Sequence, residues 1–363
     1  MRRKEIDWIR NICILMLFIY HTSAIFTDFG DFYIKTEKSN IFSNIFILLT
    51  FSWYMPLLFF LAGASTYFAL KRRSEFEYIK ERTKKLLLPF IFGIIVIVPP
   101  QTYLARLWRG ESNINYFSHM KMFFTNVSDF MGFDGGFTPA HLWFILFLFV
   151  ISLIGVSIIK CFKLIGGKKV MNKIKNVILS KYGLFIVIAL TFIAEMVPEV
   201  GGKGLILNLL MFLFGYITYS DIDYINAIFK YRRTFAISNG IIIILGLGYF
   251  LSLRNMEIGI LKNIAENGIK CSMIITAIIT IVGYGIKYMN KENKLLRYLN
   301  KASFPVYIMH QTILLTLAFF ILPLMFPQWF SIIIINLLSV LITFGLYEII
   351  KRTRYIGILL GMK

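Results

Sequence analysis

The sequence predicts an all-α, polytopic integral membrane protein of about ten transmembrane helices with both termini cytoplasmic. Three observations carry this. Of 363 residues, 58% are hydrophobic and only 16% charged, against roughly 45–50% and 25% in soluble domains. The charges cluster, leaving uncharged runs at 41–70, 86–105 and 302–347, and each is long enough for the ~20 residues that cross a hydrocarbon core. Most of the 39 Lys and Arg residues fall in alternate connecting segments, around 71–85, 160–181, 287–301 and 351–363. That bias marks those segments as cytoplasmic. The mean hydropathy of +0.71 agrees, and β-barrel alternation is absent.

The spans are expected at 8–26, 45–70, 86–105, 141–160, 183–198, 204–220, 234–252, 270–288, 303–322 and 330–350. The first lacks a small-residue cleavage site after His21, so it is expected to be retained. Residues 1–363 read as a single membrane domain without an appended soluble domain. The net charge of +20 is a topology signal with attraction to anionic membrane lipids as its second effect, and it does not indicate nucleic acid. Cys13, Cys161 and Cys271 have no paired spacing, so neither a disulfide framework nor a metal site is expected. The outer stretch 106–140 ends in a Gly-rich turn before Pro139 and reads as an ordered vestibule. The segment 160–181 reads as a solvated basic connector. No 20–50-residue repeat and no inverted-repeat echo is found.

The residues that can carry chemistry are few. Asp7, Arg10 and His21 lie on one face of the first span, within about 40° of each other at 100° per residue, with roughly 16 Å of rise from Arg10 to His21. Ionisable groups inside a span mark a functional site by default. His21, in the outer half, suits a general base because imidazole titrates near neutral pH. A structural histidine bonded across helices is its alternative. Arg10 can bind phosphate oxygens with its planar fork, or simply pair with Asp7 one turn away. His141 and Trp143 open the fourth span at the outer boundary, and Tyr307 and His310 share a face of the ninth, where His310 is expected roughly 10 Å above the span's cytoplasmic start. His119 lies in the outer stretch. Small residues at Ala62, Gly63, Ala64 and Ser65 allow close helix approach.

Read together, these pieces resemble the membrane-bound acyltransferase family 3. Asp7-Trp-Ile-Arg10, followed by ten residues and His21, resembles the family's Arg-x10-His signature with its upstream acid. Met55-Pro-Leu-Leu-Phe-Phe-Leu-Ala-Gly63 is similar to its Phe-Phe-x-x-Ser-Gly stretch, and Arg82, Leu88-Pro89, His141-Leu-Trp143 and Ser303-Phe-Pro-Val-Tyr307-Ile-Met-His310-Gln311 follow in order. The last two are most similar to the glucan biosynthesis protein C subgroup. Two departures stand out: Ala62 replaces the usual Ser, and Trp143 is followed by Phe-Ile-Leu-Phe in place of the Trp-Ser-Leu-x-x-Glu pattern of the O-antigen acetylase branch. The esterase-like domain fused to some relatives is not expected, so that transfer is expected to be completed by the membrane domain.

The resemblance implies transfer of an acyl group, acetyl or succinyl, from cytoplasmic acyl-CoA to a hydroxyl of an extracytoplasmic glycan or glycolipid at a bacterial plasma membrane. No tightly bound cofactor is expected; acyl-CoA is a co-substrate. In this scheme His21 is the base, Asp7 orients Arg10, Arg10 and Arg82 hold donor phosphates, Tyr307 and His310 contact the acyl donor, and His141 and Trp143 line the acceptor side. Two other classes use the same residues: a transporter or flippase for a surface-polymer precursor, and a non-catalytic membrane partner in surface-polymer assembly.

Overall fold

The computed structural model describes residues 3–111, 113–127, 130–253 and 259–362. Among them no β-strand forms; a single isolated bridge joins Val200 and Lys203.

The first helix, α1 (Lys4–Ile25), has 22 residues and is about 33 Å long, enough to cross a bilayer. The expected second span is two pieces, α2 (Ile41–Thr50) and α3 (Tyr54–Leu70). Pro56, in the first turn of α3, has no N–H to give, and its ring crowds the carbonyl four residues back, so the helix breaks at 51–53. A reciprocal capping box between Ser74 and Glu77 starts α4 (Glu75–Arg82). It continues as one helical stretch, Glu75–Trp108, through α5 (Leu88–Phe92) and α6 (Pro99–Trp108). Wide π turns at Thr83–Leu87 and Gly93–Ile97 precede Pro89 and Pro99. Each widened turn makes room for a proline ring and rotates the residues beyond it.

Asn115 caps α7 (Tyr116–Thr125) by accepting from the Phe117 N–H, and a 3-10 turn, Ala140–Leu142, leads into α8 (Trp143–Ile165). The solvated connector expected at 160–181 is instead helical: α8 runs to Ile165, and α9 (Gly167–Ile178) follows. Val170, Ile174, Val177 and Ile178 recur at helical spacing opposite a row of lysines, so this segment is an amphipathic helix. The remaining helices are α10 (Gly183–Glu195), α11 (Leu205–Ser220), α12 (Ile222–Leu253), α13 (Ile260–Tyr288), α14 (Lys294–Ile321), α15 (Gln328–Ile350) and α16 (Arg354–Leu359).

Seven helical stretches are long and apolar enough to cross a membrane, and two bent pairs add further candidates: α9 with α10, at 102°, and α11 with α12, at 101°. The chain is a multi-pass membrane protein. Every expected span falls on a helix, but the expected starts shift. The most consequential is α14, which begins at Lys294, where the Asn293 side chain accepts from the Leu296 N–H. His310 therefore stands about 24 Å from the start of its helix, instead of the expected 10 Å.

The chain divides into two compact units of interleaved segments. The first comprises Met1–Arg10, Leu49–Ile79 and Val150–Glu292. Its centre is the α3 and α11 pair, where a Cβ built on Gly63 would lie 1.8 Å from the Phe212 carbonyl oxygen, and one on Gly215 1.8 Å from that of Phe60. The two glycines are reciprocal, each receiving the other helix's backbone, which is how small residues replace a hydrophobic driving force between helices in lipid. The second unit comprises Asn11–Leu48, Lys80–Phe149 and Asn293–Lys363. Its core joins Ile25, Phe26 and Ile34 to Ala105, Leu314 and Ile335.

Gly63→Leu should therefore separate α3 from α11 and destabilise the purified protein by the about 1–3 kcal/mol typical of overpacking, read as a lower melting temperature. Differential scanning fluorimetry in detergent checks this, with Gly30→Leu, which meets nothing within 4 Å but lies at φ +61, reporting backbone strain alone.

Candidate active site

Three histidines from three separate segments meet in the second unit. His21 lies 17 residues along α1, His141 on the 3-10 turn before α8, and His310 past the middle of α14. The ring centroids of His21 and His310 are 5.1 Å apart, as are those of His141 and His310. Around them, Phe18 meets the His310 ring edge-on at 5.5 Å, and Phe32 stacks on His21 at 5.8 Å. His310 is fully buried and His141 is 6% exposed.

Hydrogen bonds orient the rings. Nδ1 of His310 lies 2.6 Å from the Tyr307 carbonyl oxygen. A carbonyl only accepts, so this nitrogen carries the proton and Nε2 carries the lone pair. That Nε2 is buried and has no hydrogen-bond partner among the described residues, and the same is true of Nδ1 of His21. Nε2 of His141 donates to the Ile308 carbonyl at 2.9 Å, leaving its Nδ1 to accept from the Gln101 amide at 3.5 Å. Tyr307 closes the loop by donating its hydroxyl to the His141 carbonyl. Beyond the rings, Gln311 donates to Gln101 at 3.0 Å, and Gln101 donates to Thr312 at 2.7 Å. The result is two buried imidazole nitrogens in apolar surroundings without hydrogen-bond partners among the described residues, and on His310 this nitrogen carries the lone pair a proton acceptor needs.

Trp143, one helical step past this turn, packs edge-on against Phe147 at 5.2 Å. Arg82 is half-buried at the end of α4. In the first unit, the Arg10 guanidinium lies 3.5 Å from the Asp7 carboxylate and donates to the Ser65 hydroxyl at 2.7 Å. Ser65 donates its own hydroxyl to the Leu61 carbonyl at 2.8 Å. Asp7 is 4% exposed. Among the described residues no group of three or more His, Cys, Asp or Glu has the geometry to hold a metal ion, and the three cysteines are free thiols.

Outside the spans, α7 is fastened by a second polar knot. His119 is fully buried, with Nε2 3.1 Å from the Pro99 carbonyl and 3.0 Å from the Thr102 hydroxyl, and Nδ1 3.5 Å from Arg106. Arg106 also grips Glu111 at 2.7 Å and 3.0 Å. Gly135, at φ +91, lets the loop that leads to His141 lie directly against the Arg106 side chain. The stretch expected to be an ordered vestibule is thus bonded to α6 in its described parts.

A family model described as an acyltransferase domain matches residues 3–348. The chain belongs to the acyltransferase-3 family. Glucans biosynthesis protein C of Escherichia coli (strain K12) is 21% identical over 362 residues, covering 97% of this chain and 92% of that protein. The same protein from Escherichia coli O6:K15:H31 is 20% identical over the same shares. No solved structure matches the chain. As a family member the protein is an acyltransferase, which sets aside the transporter and non-catalytic classes.

Several residues of this acyltransferase's polar network escaped the sequence: Gln101, Gln311 and Thr312 around the histidines, and Glu5, fully buried at the start of α1. For the two glutamines the signal was an amide inside an uncharged span, directly after a Pro-Pro pair for Gln101 and beside His310 for Gln311. Ser65 was visible only as a small residue; the structure shows a hydroxyl one turn beyond Ala62 that meets Arg10.

Burial, first, and the Arg106 charge hold the His119 pKa below its ordinary 6.5, against a smaller opposing pull from the Pro99 carbonyl and Glu111. The unfolded chain therefore binds the proton more readily, so the contribution of neutral His119 is complete above about pH 6.5 and is lost as pH falls below it. Protection of α7 amides in hydrogen exchange should drop between pH 7 and pH 5, and His119→Gln should flatten that dependence.

Proposed function

We propose that this acyltransferase moves an acetyl or succinyl group from acyl-CoA, supplied on the cytoplasmic side, to a hydroxyl of an extracytoplasmic carbohydrate at a bacterial plasma membrane. The observation that carries the proposal is the histidine cluster with its two buried ring nitrogens that have no hydrogen-bond partner among the described residues, His21 Nδ1 and His310 Nε2. The carbohydrate acceptor follows from similarity to proteins named for glucan biosynthesis, and the donor from the thioester chemistry such a transfer needs.

His21 accepts the proton of the sugar hydroxyl as its oxygen attacks the thioester carbonyl; the C–O bond forms, the C–S bond breaks, and the imidazolium returns the proton to the CoA thiolate. His310, beside His21, faces the acyl donor together with Tyr307. The bonds between Tyr307, His141 and Ile308 keep the rings in place while charge appears on His21. Trp143 offers an aromatic face to the sugar, with His141 on the same side. Arg10, oriented by Asp7 and Ser65, and Arg82 take the donor's phosphates.

With purified protein in lipid, His21→Ala should reduce transfer of radiolabelled acyl groups from acyl-CoA to glycan by about 10²–10⁴-fold, with the variant still folded. Undiminished transfer would move the base elsewhere. Arg10→Ala should raise the KM for acyl-CoA with kcat little changed; an unaltered KM would make Arg10 a helix-packing residue.

A further inference from the structure

The first unit holds two adjoining cavities that the acyl-transfer chemistry does not use. One, of about 340 Å³, opens between α8, α9 and α11 and is bordered by Phe162, Lys163, Lys168, Asn172 and Tyr216. The other, of about 250 Å³, lies between α10, α11, α12 and α13 and is walled mainly by carbon, from Phe60, Val187, Met211, Phe214 and Ile275. They share two walls, Ile217 and Tyr224. Tyr224 is 4% exposed, and its hydroxyl is buried with no hydrogen-bond partner among the described residues. A buried hydroxyl without a partner is costly, so a ligand oxygen at the junction of the two cavities would satisfy it.

The charges at the mouth point the same way. Lys175 is already held by Asp221 at 2.7 Å and by Asp223 at 2.5 Å, which removes it from the count. Lys163 has Glu75 no closer than 3.8 Å and is 54% exposed, and Lys168 stands exposed at the start of α9. This helix is bent 102° from α10 and carries lysines opposite an apolar face, the composition of a helix lying in the plane of a membrane surface. A soluble anion would meet the lysines and leave the apolar chamber empty. A zwitterionic lipid would bring its own cation against them. Acyl-CoA with a short acyl group has no hydrocarbon tail to place.

We propose that these cavities form a binding site for an anionic phospholipid, with its phosphate at Lys163 and Lys168, a phosphate or ester oxygen on the Tyr224 hydroxyl, and an acyl chain in the apolar chamber. The site is separate from the histidine cluster, and its occupancy does not depend on the acyl-transfer reaction.

The test is native mass spectrometry of the full chain, stripped of lipid in detergent and offered phosphatidylglycerol, phosphatidylcholine or inorganic phosphate. The wild type should retain phosphatidylglycerol through detergent exchange, with neither phosphatidylcholine nor phosphate displacing it. Lys163→Gln combined with Lys168→Gln should weaken retention on the order of tenfold. Tyr224→Phe should weaken it severalfold while leaving the melting temperature of the lipid-free protein unchanged, since the hydroxyl makes no bond there. Equal retention of phosphatidylcholine, displacement by phosphate alone, or full retention by the lysine double variant would overturn the proposal. A Tyr224→Phe variant that destabilises the lipid-free protein would overturn the role given to that hydroxyl.

Discussion

Two hydrogen bonds that run in opposite directions hold this acyltransferase's candidate site: His141 donates to the Ile308 carbonyl, and Tyr307 donates to the His141 carbonyl. In a water-free interior a polar group without a partner costs several kcal/mol, so each bond constrains the fold as well as joining its partners. Together they clamp the 3-10 turn before α8 onto α14. His310 is then oriented from its own helix through the Tyr307 carbonyl, and His21 arrives beside it from α1. The spare lone pair of His310 exists because its other ring nitrogen is committed to backbone.

Prolines supply the second constraint. Pro89 and Pro99 each follow a widened π turn, and Gln101 and Thr102 lie just past the second. A regular helix would point Gln101 elsewhere, because a π turn changes the angular phase of everything after it. The same chemistry that disrupts the helix thus carries a side-chain amide to the histidines and a hydroxyl to His119. In the other unit glycine plays the corresponding part: Gly63 and Gly215 each admit the facing helix's backbone, and α3, which carries Ser65 to Arg10, is held there.

Much of this was legible in the residues. Uncharged runs located the helices, because a hydrocarbon core tolerates few charges. The Asp7, Arg10 and His21 stripe needed only helical periodicity. The five ordered motifs led to the family that residues 3–348 match. What the stripe concealed was that its members part company: Asp7 and Arg10 engage Ser65 in one unit, while His21 joins His141 and His310 in the other. Nor did the sequence separate a basic loop from a basic amphipathic helix at α9, since lysine excess is common to both and the apolar face is short.

By itself, then, the sequence determined composition-driven properties: an all-α membrane chain, its family, and which few ionisable groups lie within its helices. Those follow from transfer energies and helical period, both of which act locally along the chain. Only the tertiary structure decided that three histidines from distant segments share one site, which nitrogens of His141 and His310 carry protons, and that the Tyr224 hydroxyl is buried at a cavity wall without a partner among the described residues. Such facts depend on packing between distant segments and, for His141, on a hydrogen bond to a backbone carbonyl of another helix. A carbonyl is present at every residue, so nothing in the side-chain sequence marks which one a given imidazole will find.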